Sequence, residues 1–360
     1  MEKSLIRNKV FYFLETCISL SVFISIFYLI VFTSYNLFAG PLAYFEKNVP
    51  INNEKMVATT INFDNDNFSE NIKDKKEIKI AFVGDIMLDR GVEQKIRGAG
   101  NGDFDFVFQN IKEDLKGYDF LVGNLEGPVS DKGKDKYNLY SFRMEPEVLK
   151  TLEKVGFDVL SVANNHMGDW GIDAIVDTFD RFNETNIKFI GGGYSNEQTI
   201  KPVVLEKEGV KIGLLAFSQF GDGVFSVGKD NAGIYIISES NLKESIDLAR
   251  NLSDIVVVSF HFGDEYQEKQ NYYQEKYSQM AINFGADLVV GHHPHVVQPL
   301  EKYKNTYIAY SLGNFVFDQY FSKETMEGGL IEVDIRDKKI SSIELRKIQI
   351  NSEYQPSLIE

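Results

Sequence analysis

Five times along this chain an apolar run stops abruptly on a polar cluster. Ile78–Val83 runs into Gly84-Asp85, and Tyr118–Val122 into Gly123 and the cluster Asn124-Leu125-Glu126. Asp158–Ala163 ends on Asn164-Asn165-His166, Asp254–Phe260 on His261, and Ala286–Val290 on Gly291 and His292-His293-Pro294-His295. Short apolar runs bounded by turn residues are the pattern of strands buried on both faces. Stretches with helical spacing lie between and around them, at Phe104–Lys116, Pro146–Val155, Ile172–Thr185, Asn241–Leu252 and Tyr272–Phe284. Further strands are expected at Ile187–Ile190, Lys201–Glu206, Val210–Phe217, Thr306–Tyr310, Gly329–Ile335 and Ile340–Ile350. Alternating strands and helices, closed by consecutive strands, predict an α/β fold with an antiparallel tail. Ligands of open α/β sheets bind at the carboxyl ends of strands, so the five clusters are expected to converge on one rim.

The chain has five histidines, and all five lie in these clusters. Taken singly, Asp85 reads as a helix cap, Asn164-Asn165 as a turn, Glu126 as a surface carboxylate and His261 as a hydrogen-bonded histidine. Taken jointly, carboxylates and neutral imidazoles form a donor set that suits one or two divalent ions, Mn, Fe or Zn. The i, i+2 spacing of His293 and His295 puts both rings on one side of an extended segment, which Pro294 stiffens.

Charge narrows the partners. Across 360 residues, 38 Lys+Arg stand against 53 Asp+Glu, a formal net charge of −15. No nucleic-acid partner is expected, because phosphate neutralisation needs a basic face. Lys3, Arg7 and Lys9 precede an apolar run over residues 10–33, within which the eighteen residues Thr16–Thr33 carry no charge. That length crosses a bilayer with help from its flanks, and the basic flank holds the N-terminus in the cytoplasm. The expectation is a single-pass anchor in the cell membrane, with residues 1–9 cytoplasmic. Residues 34–76 follow as a flexible stalk, in which a short strand near Met56–Ile61 is allowed. An extracytoplasmic domain over 77–350 and a tail over 351–360 complete the chain. A cleaved signal peptide is the alternative to the anchor. The single cysteine, Cys17, falls inside the apolar run, so the exported domain is held by its own core rather than by disulfides.

Six motifs now stand in order: GDIMLDR (84–90), NLEGPVS (124–130), ANNHMGDWG (163–171), HFGDEY (261–266), GHHPHVVQPLE (291–301) and YSLGNFVFD (310–318). Together they resemble the CapA/PgsA family of poly-γ-glutamate capsule biosynthesis proteins, over essentially all of 78–335. That family looks like a branch of the calcineurin-like metallophosphoesterases. The resemblance implies a layered α/β/β/α sandwich of metallophosphoesterase type, preceded by one N-terminal transmembrane helix. It implies that Asp85, Glu126, Asn165, His261, His293 and His295 are metal ligands, with Glu126 bridging. It makes His166 the acid/base group and Asp169 its orienting partner.

The metallophosphoesterase pattern opens with Asp-x-His, and Met87 stands where that histidine belongs. Methionine is a poor ligand for hard divalent ions, so one metal position is a ligand short. Arg90, Glu265, His292 and Asn314 are expected to line the cleft, the alternative for His292 being a place behind the ligands. Arg90 suits a carboxylate or phosphate, its alternative being a solvated residue at a helix start. Two functions follow. One is a metal-dependent hydrolase or transferase, acting outside the membrane on a phosphoester, or on an amide of poly-γ-glutamate or the cell wall. The other is a non-catalytic subunit that binds the anionic polymer or the polymer synthase.

Overall fold

The computed structural model describes residues 59–62, 77–221 and 225–359. The expected anchor, its basic flank and nearly all of the stalk lie outside the described residues. Among the described residues no helix is long and apolar enough to cross a membrane.

Two large sheets carry the molecule. The first has nine strands: β1 (Thr59–Asn62), β2 (Ile78–Ile86), β3 (Phe120–Leu125), β4 (Val159–Ser161), β5 (Lys188–Ile190), and four from the end of the chain. The second has six, among them β7 (Val203–Lys207), β8 (Val210–Ser218), β10 (Ile255–His261), β11 (Leu288–His292), β12 (Leu300–Tyr303) and β13 (Thr306–Ala309). A small ladder pairs β6 (Gly192–Gly193) with β9 (Gly233–Ile234). The late strands β14 (Asn314–Val316), β15 (Glu327–Arg336), β16 (Lys339–Ile350) and β17 (Pro356–Ile359) return to the first sheet. Its order is β1-β16-β15-β2-β3-β4-β5, with β14 also beside β2 and β17 beside β16. The order of the second is β12-β13-β11-β10-β8-β7. β2 to β5 run parallel, as do β8, β10, β11 and β13, while β15 and β16 form the antiparallel tail.

The period of two along each strand explains the layering. Ile78, Ile80 and Phe82 of β2 enter a core shared with Ile212, Leu214, Ile255 and Val257 of the second sheet. Ala81 and Val83 point the other way, into a core beneath the helices α1 (Arg90–Arg97), α3 (Glu147–Val155) and α4 (Ile172–Phe182); the short α2 (Lys112–Leu115) joins them through Leu115. On the second sheet Val256, Val258 and Phe260 face α6 (Glu239–Leu252) and α7 (Tyr272–Phe284); α5 (Asn196–Thr199) is a single turn. Successive side chains of a strand point to opposite faces, so a strand covered on both sides must be apolar at every position. Those alternate faces make a helix–sheet–sheet–helix sandwich.

Two local differences from the sequence reading have physical causes. The helix expected over Phe104–Lys116 breaks into a 3₁₀ turn, Phe104–Phe108, and α2. The Phe106 carbonyl accepts from Gln355 Nε2 at 2.9 Å, so a side chain takes an acceptor that a continuous helix would use. Strand β17 lies beyond residue 350 because β16 leaves a free edge, against which Ile350 and Pro356 come into register. β1 pairs with β16 where the sequence reading allowed a short strand within the stalk.

Candidate metal centre

The strand ends do converge. Asp85 closes β2, Asn124 lies near the end of β3 with Glu126 just beyond, and His261 and His292 close β10 and β11. Each sheet has a glycine immediately before its polar cluster. A Cβ on Gly84 would stand 2.1 Å from the Gly313 carbonyl oxygen, and one on Gly291 would stand 2.0 Å from that of Tyr310. Only glycine permits these approaches, which let the segment 310–313 pass between the two strand ends.

Asp85 is the junction of the site and is fully buried. Its Oδ1 accepts from Asn124 Nδ2 at 2.9 Å, and its Oδ2 accepts from the His293 backbone N–H at 3.2 Å. His295 Nδ1 lies 3.3 Å from Oδ2. His292 Nδ1 lies 3.1 Å from Oδ1, close in distance but out of hydrogen-bond alignment. Burial alone would raise the Asp85 pKa, yet His292 and His295 hold it well below the usual carboxylate range. His292 thus sits against Asp85 rather than on the cleft wall.

Glu126 is also fully buried, and its Oε1 has no hydrogen-bond partner. That oxygen lies 3.6 Å from His295 Nε2 and 3.8 Å from His166 Nε2. Burial pushes its pKa well above the ordinary value, and the neighbouring Asp85, Glu265 and Asp169 add to this against the pull of His295. Burial also lowers the pKa of His261 far below normal and that of His293 to about 3, leaving both imidazoles neutral, the form that binds metal. Burial opposes charge on His295 as well, but Glu126 and Asp85 raise its pKa to about 9.

Two sets of three ligand atoms lie within 4.8 Å of one another: Asp85, Glu126 and His261 in one, and Glu265, His293 and His295 in the other. The buried Glu126 Oε1 and His293 Nδ1 have no partner in the protein. Divalent cations at the two groups would satisfy these atoms and balance the converging carboxylates, and the mixed oxygen and nitrogen donors suit such ions. Asn165 Oδ1 is bonded to His261 Nε2 at 2.7 Å, so these two expected ligands face each other.

The two residues expected to act as acid/base group and orienting partner are in contact. His166 Nδ1 lies 2.7 Å from Asp169 Oδ2, whose two oxygens also accept from the Phe142 N–H at 2.9 Å and from Asn138 Nδ2 at 2.8 Å. Phe142 lies over the His166 ring, with centroids 3.9 Å apart. Met87 is fully buried in an apolar group with Phe142 and Phe317, and its Sδ accepts from the Asp89 N–H at 3.1 Å. Arg90 is paired with Asp318 and lies 4.6 Å from the Phe142 ring centre. Beside it a cavity of about 160 Å³ is lined by His166, Glu265, His295, Tyr140, Tyr266 and Phe321, among others. Asn314 does not reach the cleft. It is fully buried, with its Oδ1 3.0 Å from His295 Nδ1 and its amide bonded to Thr325 O and Gln319 Oε1.

Two features differ from the sequence reading. His293 and His295 do not lie on an extended segment. Both have positive φ, 99° and 57°, and two turned residues rather than a pleat bring the rings to 6.0 Å. Non-glycine residues in this region carry strain, which concentrates at functional sites. The second feature is Asn124, to which the sequence reading assigns no role. Its Nδ2 lies 2.9 Å from Asp85, 3.5 Å from Glu126 and 3.4 Å from His261. Its place in a strand-end cluster was the available signal.

Fold and site together define an α/β protein of two facing sheets, with a mixed carboxylate and imidazole centre fitted to divalent cations. The bacterial capsule synthesis protein family PGA_cap matches residues 79–319, and the chain belongs to that family. The capsule biosynthesis protein CapA of Bacillus anthracis is 33% identical over 289 residues, covering 77% of this chain and 69% of the relative. The PGA biosynthesis protein CapA of Bacillus subtilis is 34% identical over 277 residues, covering 76% and 72%. A solved structure described as a novel phosphatase from Mycoplasma pneumoniae is 16% identical, with a TM-score of 0.47, over 76% of this chain and 94% of its own.

Proposed function

We propose that the chain is a metal-dependent hydrolase or transferase of capsule synthesis, of metallophosphoesterase type, anchored by residues 10–33 with its domain outside the membrane. Its substrate is a phosphoester, or an amide of poly-γ-glutamate or the cell wall, and polymer synthase subunits are its expected partners. One observation carries the reading: His166 is held by Asp169 with its Nε2 turned toward the unpartnered oxygen of Glu126. A ring nitrogen so held, beside the one oxygen of Glu126 that has no protein partner, has the placement of a proton donor next to a cation site.

Asp85, Glu126, Asn165, His261, His293 and His295 would hold the cation or cations. A divalent ion there supplies Lewis acidity toward an anionic substrate oxygen. The Asp169 carboxylate accepts from His166 Nδ1–H, which fixes the ring and sets Nε2 as the atom that exchanges a proton. A protonated Nε2 delivers that proton to the leaving group while a water or hydroxyl attacks. Phe142 keeps water from the back of the ring.

The assay uses the full-length chain purified in detergent and loaded with Mn²⁺, offered a phosphodiester, a phosphomonoester and poly-γ-glutamate. Turnover of one substrate should fall about 10²- to 10⁴-fold in His166→Ala with metal content unchanged. Bound metal without turnover of any of the three would reject the enzyme reading in favour of a polymer-binding subunit.

A further inference from the structure

The outer group of ligand atoms has its own construction. Glu265 lies on the loop after β10, four residues beyond His261, and is half-buried. That loop is tied to the His293-Pro294-His295 turn by one backbone bond, from the Tyr266 N–H to the Pro294 carbonyl at 2.8 Å. Gln298 Nε2 holds the same loop through the carbonyls of Gln267, at 2.8 Å, and Lys269, at 3.1 Å. The adjacent residue therefore positions Glu265 whether or not its own side chain is bonded. Its carboxylate and the two imidazoles come within 4.8 Å of one another, with His293 Nδ1 buried and unpartnered beside them.

We infer that Glu265 is a metal ligand and that, with His293 and His295, it forms a second, outer cation site. The inference deepens the metal-dependent reading above and rests on its metal centre. Two imidazoles and one carboxylate leave coordination positions open, which marks a site that meets substrate rather than a closed structural one. The cavity that Glu265 shares with Arg90 and His166 gives those positions something to face. The inner group differs: Asp85, Glu126 and His261 are all buried. The outer group differs in Glu265 alone, half-buried at the cavity, and that is the side from which its ion would exchange.

The test counts ions and needs no turnover. The full-length chain in detergent is titrated with Mn²⁺ by equilibrium dialysis, and spin coupling between neighbouring Mn²⁺ ions is followed by electron paramagnetic resonance. The wild type should bind two ions with a coupled spectrum. Glu265→Gln should keep one, bind the second at least tenfold more weakly and lose the coupling. Glu265→Asp should retain part of the second affinity, which separates ligation from misfolding. Glu268→Gln, an exposed acid on the same loop, should change nothing. Full retention of both ions in Glu265→Gln, or an equal loss in Glu268→Gln, would overturn the assignment. A wild type that binds a single ion would also overturn it while leaving the hydrolase assay to decide the function. Two Glu265-dependent ions without turnover would uphold it and remove the hydrolase.

Discussion

The two sheets bring unlike chemistry to their common rim. The nine-stranded sheet and the loops that leave it contribute oxygen donors: Asp85, Glu126 and the amides of Asn124 and Asn165. The six-stranded sheet contributes nitrogen donors: His261, His292, His293 and His295. Each sheet also sends one residue of the opposite kind, His166 from the first and Glu265 from the second. The inner group draws Asp85 and Glu126 from one sheet and His261 from the other, so it exists only when the shared core has brought the sheets face to face. A cation bound there ties one sheet to the other, and part of its binding energy is then folding energy.

The sharpest way to break the pairing is Asp85→Ala. Asp85 touches Asn124 on its own sheet and His292, His293 and His295 on the other. Removing one partner from a buried ionic set costs about 3–5 kcal/mol. We expect a large fall in the denaturation midpoint together with loss of the inner ion. An unchanged midpoint would mean that the apolar core alone joins the sheets.

Metal removal probes the same link more gently. At a free Mn²⁺ concentration about a hundred times the dissociation constant, a bound ion adds about 2.7 kcal/mol. Chelation should remove that increment from the wild type, as read by thermal unfolding with and without chelator. The chelator effect should shrink in Asp85→Ala. An equal effect in both proteins would place the stabilising ion elsewhere.

The smallest effect tests whether a change confined to the first sheet's helix layer leaves the rim alone. Asp177 on α4 is buried and accepts from Ser130 Oγ at 2.6 Å and Arg181 Nε at 2.8 Å, with Lys132 Nζ at 2.7 Å. Burial opposes its charge, but Lys132, Ser130 and Arg181 bring its pKa from 3.8 down to about 2. A depressed carboxylate stabilises the fold above its unfolded pKa, and that contribution is lost as pH falls through the folded value. It should amount to about 2 kcal/mol, complete above about pH 4 and gone below about pH 2. Asp177→Asn should remove this part of the acid sensitivity and leave the Mn²⁺ count as it was. A change in the count would show that the helix layer and the rim are coupled.

Much of this was legible in the sequence, for reasons specific to each element. β2, β3, β10 and β11 could be read because a strand covered on both faces is apolar throughout and stops where the polar rim begins. Asp85, Glu126, His261, His293 and His295 could be named because their types suit metal and their places end strands. The break after Phe108 was not legible, since it depends on Gln355, which arrives from the far end of the chain. Nor was the pairing of Arg90 with Asp318, which lies 228 residues away.

By itself, the sequence determined the α/β alternation, the rim on which polar residues gather, and the family. The first two follow from local periodicity and residue type, and the third from the resemblance of six ordered motifs; none needs knowledge of the partner segment. Only the tertiary structure decided how the donors are grouped. Asn124 became a hub because three side chains surround its amide. The His293 and His295 rings met through positive φ values that histidine does not announce. Glu265 joined them because the Tyr266 amide found the Pro294 carbonyl. The Asn124 and Glu265 contacts link segments distant in the chain, between which a pattern of local periods carries no distance, and the histidine turn is a local conformation that no period signals.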